Sequence, residues 1–152
     1  MQVLHFILVG IHLTASAIWL GSMCYSLFVF QPRLRAHLND PEKFEQIVQT
    51  VSAGMRRAVI VALTAIGGSG VTLLFWPGGT GWWVMNAAKL VLWLVACGLF
   101  SRVTLRLWPA RVFATADELP GIQQQAARIG YTMFAVVSLA FVLGITATHL
   151  LD

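Results

Sequence analysis

Long apolar runs separated by short polar segments dominate the pattern along this chain. Four runs are free or nearly free of charged residues, and each has roughly the 20 residues that a helix needs to cross a hydrocarbon core. Because lipid offers no hydrogen-bond partner to the backbone, we expect all four runs to be helices. The predicted membrane spans are residues 3–30, 58–76, 82–101 and 129–151.

The connection between the first two spans has a helical pattern of its own. Asp40 is a predicted N-cap, and Pro41 suits the first helical position after it. We predict an amphipathic helix over residues 41–55 that lies along the membrane surface and turns into the second span at Arg56 and Arg57. Its apolar face repeats at helical spacing, at Phe44, Ile47, Val48, Val51 and Met55.

The remaining connections indicate how the helices are arranged. The short Pro- and Gly-rich segment 77–81 predicts a tight turn, so the second and third helices should pack antiparallel. Pro109 should end the third helix, and Asp117 and Glu118 should lead into the fourth. The predicted fold is all-α: a single domain over residues 1–152 that forms an integral membrane, four-helix antiparallel bundle.

The basic residues predict the orientation of this bundle. Of the ten Lys and Arg residues, five lie between spans one and two, four lie between spans three and four, and Lys89 lies within a span. The positive-inside rule then places both long connections in the cytoplasm, and both termini and the turn at 77–81 outside. We predict a multi-pass protein of a bacterial-type inner (cytoplasmic) membrane. The nine loop residues are Arg33, Arg35, Lys43, Arg56, Arg57, Arg102, Arg106, Arg111 and Arg128.

Composition excludes other classes of protein. The chain is 58% hydrophobic and 11% charged, which is too apolar for a soluble domain of 152 residues. Its net charge of +4 comes from the loops between spans, so a lipid bilayer is the expected partner and no nucleic acid is implied. The first apolar run has no basic segment before it and no small-residue cleavage site, so we interpret it as a retained span.

Ionisable side chains inside the spans are the candidate functional residues, because such groups are costly in lipid. At about 1.5 Å per residue, His12 lies about 13 Å below the outer end of span one and Lys89 about 10 Å below that of span three. His5 and His149 form a second pair close to the outer surface. His5, His12 and Trp19 are spaced by seven residues, so they share one face of the first helix.

The types of residue in the spans limit which cofactors and reactions the protein could use. The sequence has no nucleophile triad, phosphate-binding loop or Cys-x-x-Cys motif, and no Asp or Glu lies within a predicted span. Imidazole, amine and sulfur groups remain, and these suit a haem or a copper ion. On span two, Gly67, Gly68 and Gly70 either allow close helix packing or leave room for a flat cofactor.

The motif H-x6-W-x-G, formed by His12, Trp19 and Gly21, resembles the signature of the copper-resistance CopD family of membrane proteins. The continuation at Pro32-Arg33-Leu34, the entry to helix two at Met55-Arg56-Arg57 and the pair Lys89-Leu90 are similar to the related HemJ-type protoporphyrinogen oxidases. The resemblance covers nearly the whole chain and implies a four-helix core.

The resemblance also implies a role for haem b or copper, and it assigns His12 and Lys89 to the histidine and lysine of the haem-binding branch. That branch has a histidine two residues before the lysine, where this chain has Ala87. It also has an Asn-Glu-x-Pro element entering helix four, which residues 123–131 lack. The CopD-like side of the superfamily is therefore the closer resemblance.

Three functions follow as expectations. The first is a small haem-b-binding or redox-linked protein, which would be an oxidoreductase if it is an enzyme. His12 would be the axial ligand, and His149, His5 or Lys89 would be the second ligand. Lys89 could instead hold a haem propionate. The second is copper uptake or handling. The third is an accessory subunit of a larger membrane complex, or a homo-oligomer. The copper route would use His5, His149, Met1 and Met85 near the surface and His12, Met23 and Cys24 below them.

Overall fold

The computed structural model describes residues 2–38, 40–76 and 79–150, with side chains up to Thr146. Its elements join into four continuous helical rods. A π-helical segment, Ser26–Phe30, links α1 to α2, and a second, Val103–Leu107, links α4 to α5. The α-helices are α1 (Gln2–Tyr25), α2 (Gln31–His37), α3 (Pro41–Leu73), α4 (Thr80–Arg102), α5 (Trp108–Val112) and α6 (Leu119–Leu150).

All four rods are long and apolar enough to cross a membrane. Their candidate spans are 36, 33, 33 and 28 residues long. At about 1.5 Å per residue these rods measure about 42–54 Å, which exceeds a hydrocarbon core of about 30 Å. The predicted fold, an all-α four-helix bundle of a multi-pass membrane protein, is confirmed, and the rods extend beyond the bilayer. The spans are Gln2–His37, Pro41–Leu73, Thr80–Val112 and Leu119–Thr146.

The rods are arranged as two helical hairpins. α1 packs along α3, α4 packs along α6, and α1 and α6 join the two hairpins, whereas α3 makes little contact with α4 or α6. We call the end at which α2 ends, α3 begins and residues 113–118 lie the basic end, because the arginines cluster near it. Residue 2, residues 74–76 and Gly79 lie at the opposite end.

Two prolines lie inside rods that the sequence predicted to end near them. Pro32 was expected to stop the first helix and Pro109 the third, but the rods continue to His37 and Val112. Each proline occupies the first turn of a new α-helical segment, directly after a π-helical segment. A proline lacks an N–H group and clashes with the preceding turn, and a widened turn accommodates both defects. These two boundary predictions were therefore wrong.

The predicted amphipathic helix 41–55 does not turn at Arg56 and Arg57. It is the first half of α3, which runs without a break from Pro41 to Leu73. The predicted N-cap is confirmed: the Asp40 carboxylate accepts hydrogen bonds from the backbone N–H groups of Glu42 (2.9 Å) and Lys43 (3.2 Å). The paired arginines could be accommodated within a helix because a rod longer than the bilayer carries charges past the lipid without bending.

A buried apolar cluster joins the four rods at the middle of the bundle. Trp19 is only 4% exposed, and it packs with residues from each of the other three rods. Most other large apolar side chains face outward, as expected where lipid is the surrounding solvent. The cluster contains Trp19, Met23, Leu63, Ile66, Ala96 and Val137.

Candidate functional site

A cavity of about 340 Å³ lies between the four rods, beyond the buried cluster towards the opposite end. This volume falls in the range of about 300–1,000 Å³ that is typical of small-molecule sites. Its walls are mainly apolar, with a small set of polar and aromatic side chains. These are His12, Ser16, Trp19, Asn86, Lys89, Trp93 and Phe141.

His12 is fixed to the neighbouring helix by a hydrogen bond. Its Nδ1 lies 2.9 Å from the Oγ of Ser69 on α3, a buried residue. Ser69 Oγ in turn donates to the backbone carbonyl of Ala65 at 2.5 Å. The imidazole is thus attached to α3 through a two-bond chain.

The Ser69 contact favours one tautomer of His12. A hydroxyl carries one hydrogen, and the Ala65 carbonyl is the nearest acceptor for it. A neutral His12 that donates from Nδ1–H to Ser69 Oγ carries its lone pair on Nε2. His12 lines the cavity, and a neutral imidazole is able to bind a metal or a proton.

Two glycines on α3 leave space for the rings of His12 and Trp93. A Cβ at Gly70 would lie 3.2 Å from Cε1 of His12, and a Cβ at Gly67 would overlap the indole of Trp93. Gly68, between them in sequence, faces open space. Gly67 and Gly70 therefore allow the rings to lie directly on the helix backbone, whereas Gly68 makes no such contact.

Lys89 faces His12 across the same cavity from α4. His12 lies twenty residues before Pro32 on the first rod, and Lys89 lies twenty residues before Pro109 on the third. The two residues therefore have equivalent positions along their rods. Asn86 lies one helical turn from Lys89 and donates to the carbonyl of Trp82 at 2.9 Å. Within the described part of the chain, no carboxylate pairs with Lys89, and none lines the cavity.

The indole of Trp93 adds an unused donor. Its Nε1 is buried and has no hydrogen-bond partner among the described residues. An unsatisfied buried N–H costs about 1–3 kcal/mol, so a ligand that accepts from it would gain affinity. The polar side chains that line the cavity are thus those of His12, Ser16, Asn86 and Lys89, and the indole N–H of Trp93 is buried beside them.

The structure brings together three of the predicted site residues: His12, Lys89 and Trp19 line one cavity. His5 does not line it. Its ring packs on Trp76 at the opposite end, with 5.1 Å between the ring centroids. The side chain of His149 lies outside the described residues. No group of three or more His, Cys, Asp or Glu side chains in the described ranges could hold a metal ion.

Sequence reasoning did not single out Ser69, Asn86 or Trp93 as residues of this site. Ser69 hydrogen-bonds to His12, and Asn86 lines the cavity with Lys89. A signal for Asn86 was its spacing of three residues from Lys89, which puts the two on one helix face. Ser69 and Trp93 gave no such signal, because their roles depend on which helices are neighbours.

Comparison with known proteins adds no assignment to this geometry. No protein-family model, curated protein or solved structure matches the chain.

Proposed function

We propose that this protein binds haem b within the membrane, with Nε2 of His12 as an axial ligand, and that it serves a redox-linked function of the CopD-like type. The single observation behind this proposal is the Ser69 hydrogen bond. That contact suits a neutral His12 whose lone pair is on Nε2, His12 lines the cavity, and a neutral imidazole is the usual protein ligand of haem iron.

The other groups of the cavity suit the same cofactor. A haem carries two propionates, which are acceptors, and the cavity offers the Lys89 ammonium as a donor. Its apolar walls suit a largely apolar ring. The wall lacks an acidic residue within the described ranges, so no negative charge opposes the propionates.

Each residue would have a defined task. A bound haem supplies one-electron chemistry. Ser69 would hold the ring of His12 in place, as the hydrogen-bond partners of ligating histidines do. Lys89 offsets the charge of a propionate. Trp19 and the buried cluster close the cavity towards the basic end and exclude water from that side.

The test is an absorption spectrum of the purified protein, reduced minus oxidised, after expression with adequate haem supply. We expect a Soret band and a haem content near one per chain for the wild type. The His12→Ala variant should lose most of this haem. His37→Ala is the matched control, because His37 is exposed at the basic end, and its ring bonds only to the Arg33 carbonyl among the described residues.

A wild-type protein without a Soret band would contradict the proposal, as would equal haem content in the two variants. Copper handling stays an alternative prediction. Metal analysis of the same samples measures it, and copper that depends on His5 and His12 in haem-free protein would favour it.

A further inference from the structure

A second cavity, of about 190 Å³, lies nearer the basic end, on the other side of the buried cluster. It has room for about six water molecules at about 30 Å³ each, so a small anion or a lipid headgroup is of suitable size. Both π-helical segments contribute to its wall, and such segments are frequent at functional sites. Its polar wall residues are Ser26, Gln31, Arg35, Ser52, Arg111 and Gln123.

The charges on this wall are all positive. Arg35 and Arg111 line the cavity, and no Asp or Glu of the described residues does. Arg111 is already paired. Its Nε and Nη2 donate to the two carboxylate oxygens of Glu45 at 2.6 and 3.2 Å, and Glu45 is only 3% exposed. One buried carboxylate thus offsets one arginine, and Arg35 leaves a net positive charge.

Arg35 is held in a geometry that leaves its donors available. Its guanidinium carbon lies 4.6 Å from the ring centroid of Phe44, a buried side chain of α3. Stacking of this kind occupies the face of the guanidinium plane and leaves the N–H groups at its edge free to donate. No carboxylate of the described chain forms an ion pair with Arg35.

Neutral donors accompany Arg35 on the same wall. The Gln31 amide donates to Ser26 Oγ at 3.2 Å, so the hydrogen of the Ser26 hydroxyl is still available. In the ranges that the structure describes, no hydrogen bond occupies the Ser52 hydroxyl either. A rigid guanidinium with nearby hydroxyls is the donor set that recognises phosphate oxygens.

We propose that this second cavity binds a phosphate group, through the guanidinium of Arg35 and the hydroxyls of Ser26 and Ser52. The phosphate belongs either to the headgroup of an anionic lipid or to a free anion. This site is independent of haem binding, because the buried cluster separates the two cavities.

The experiment measures binding of two probes to the full-length protein in detergent. One probe is inorganic phosphate, followed by the shift in melting temperature. The other is phosphatidylglycerol compared with phosphatidylcholine, followed by native mass spectrometry. Arg35→Gln should weaken the recognised probe about tenfold or more, because a hydrogen bond to a charged group is lost. Ser52→Ala should weaken it about threefold.

Arg33→Gln is the matched control: Arg33 lies two residues earlier and is exposed like Arg35, but it does not line the cavity. Phosphate binding that depends on Arg35 supports the free anion, and phosphatidylglycerol binding alone that depends on Arg35 supports the headgroup. The proposal is overturned if the wild type binds neither probe, or if Arg33→Gln weakens binding as much as Arg35→Gln does.

Discussion

Three glycines of α3 differ in what surrounds them, although they lie within four residues of one another. The backbone of Gly67 lies against Trp93, that of Gly70 against His12, and Gly68 faces open space. Small residues on membrane helices are commonly interpreted as packing positions. Here Gly67 and Gly70 lie against the rings of Trp93 and His12, whereas Gly68 contacts neither ring. Substitutions at the three positions can therefore separate an effect on the cavity from an effect on helix stability.

Alanine at these glycines gives a matched series. We expect Gly67→Ala to cost about 1–3 kcal/mol of unfolding free energy, because the indole of Trp93 must move. Gly70→Ala should lower haem content, since the imidazole of His12 must give way. Gly68→Ala should be neutral or stabilising, because alanine favours a helix more than glycine does. Thermal melts and haem content measure both effects, and an equal loss in all three variants would contradict this view of the cavity wall.

At the scale of the elements, a buried polar cluster ties three of the rods together near the basic end. Glu45 of α3 pairs with Arg111 of α5, and Gln123 of α6 donates to Glu45 Oε2 at 3.4 Å. Gln49 donates to both the Glu45 carboxylate and the Arg111 carbonyl. The cluster lies near the basic end of the bundle, so it holds the ends of three rods together.

Glu45→Gln should destabilise the protein strongly. Removing one partner of a buried ion pair leaves an uncompensated charge and costs about 3–5 kcal/mol. The exposed pair of Lys43 and Asp40, 3.6 Å apart, supplies the control, and Lys43→Gln should leave stability unchanged. Denaturant unfolding in detergent gives both values. Equal stability of the two variants would show that the buried cluster does not hold the rods.

The N-cap of α3, Asp40, should make the stability of the protein depend on pH. Its hydrogen bonds, first from the backbone N–H of Lys43 and then from that of Glu42, lower the pKa of Asp40 below the ordinary value of about 3.9. A lowered pKa means that the stabilisation is present above the ordinary value and is lost as pH falls through the folded-state pKa.

Asp40→Asn should therefore keep the cap and remove its acid dependence, whereas Asp40→Ala should lower the melting temperature at pH 7. Melting curves at pH 7 and pH 3 measure the difference. If the drop in melting temperature from pH 7 to pH 3 is unchanged in Asp40→Asn, other carboxylates cause it and the prediction is contradicted.

At the scale of the whole molecule, hydropathy predicted the four helices because lipid demands long apolar segments whose backbones are satisfied internally. It also placed His12 and Lys89 at one depth, since rise per residue fixes depth within a rod. Hydropathy did not predict that α3 continues past Arg56 and Arg57, or that two rods continue past Pro32 and Pro109. Neither a charged residue nor a proline in the first turn of a helical segment ends a helix. The Ser69 contact could not be predicted, since it depends on how α1 and α3 are rotated.

The orientation predicted from the basic residues is testable with cysteine labelling. In a background with Cys24→Ser and Cys97→Ser, Ala116→Cys lies in the connection at the basic end and Gly79→Cys at the opposite end. The positive-inside rule predicts that a membrane-impermeant reagent labels Gly79→Cys in intact cells and Ala116→Cys only after permeabilisation. The reverse pattern would place the end that carries Gly79 in the cytoplasm.

The central claim is that Nε2 of His12 binds haem iron, and chemical rescue measures it most directly. His12→Gly removes the imidazole and leaves space beside Gly70, so imidazole added to the purified variant with haem should restore the ligand. The account predicts that the Soret band is lost in His12→Gly and regained with imidazole, while His37→Gly keeps the band throughout. A full band in His12→Gly without imidazole would contradict it.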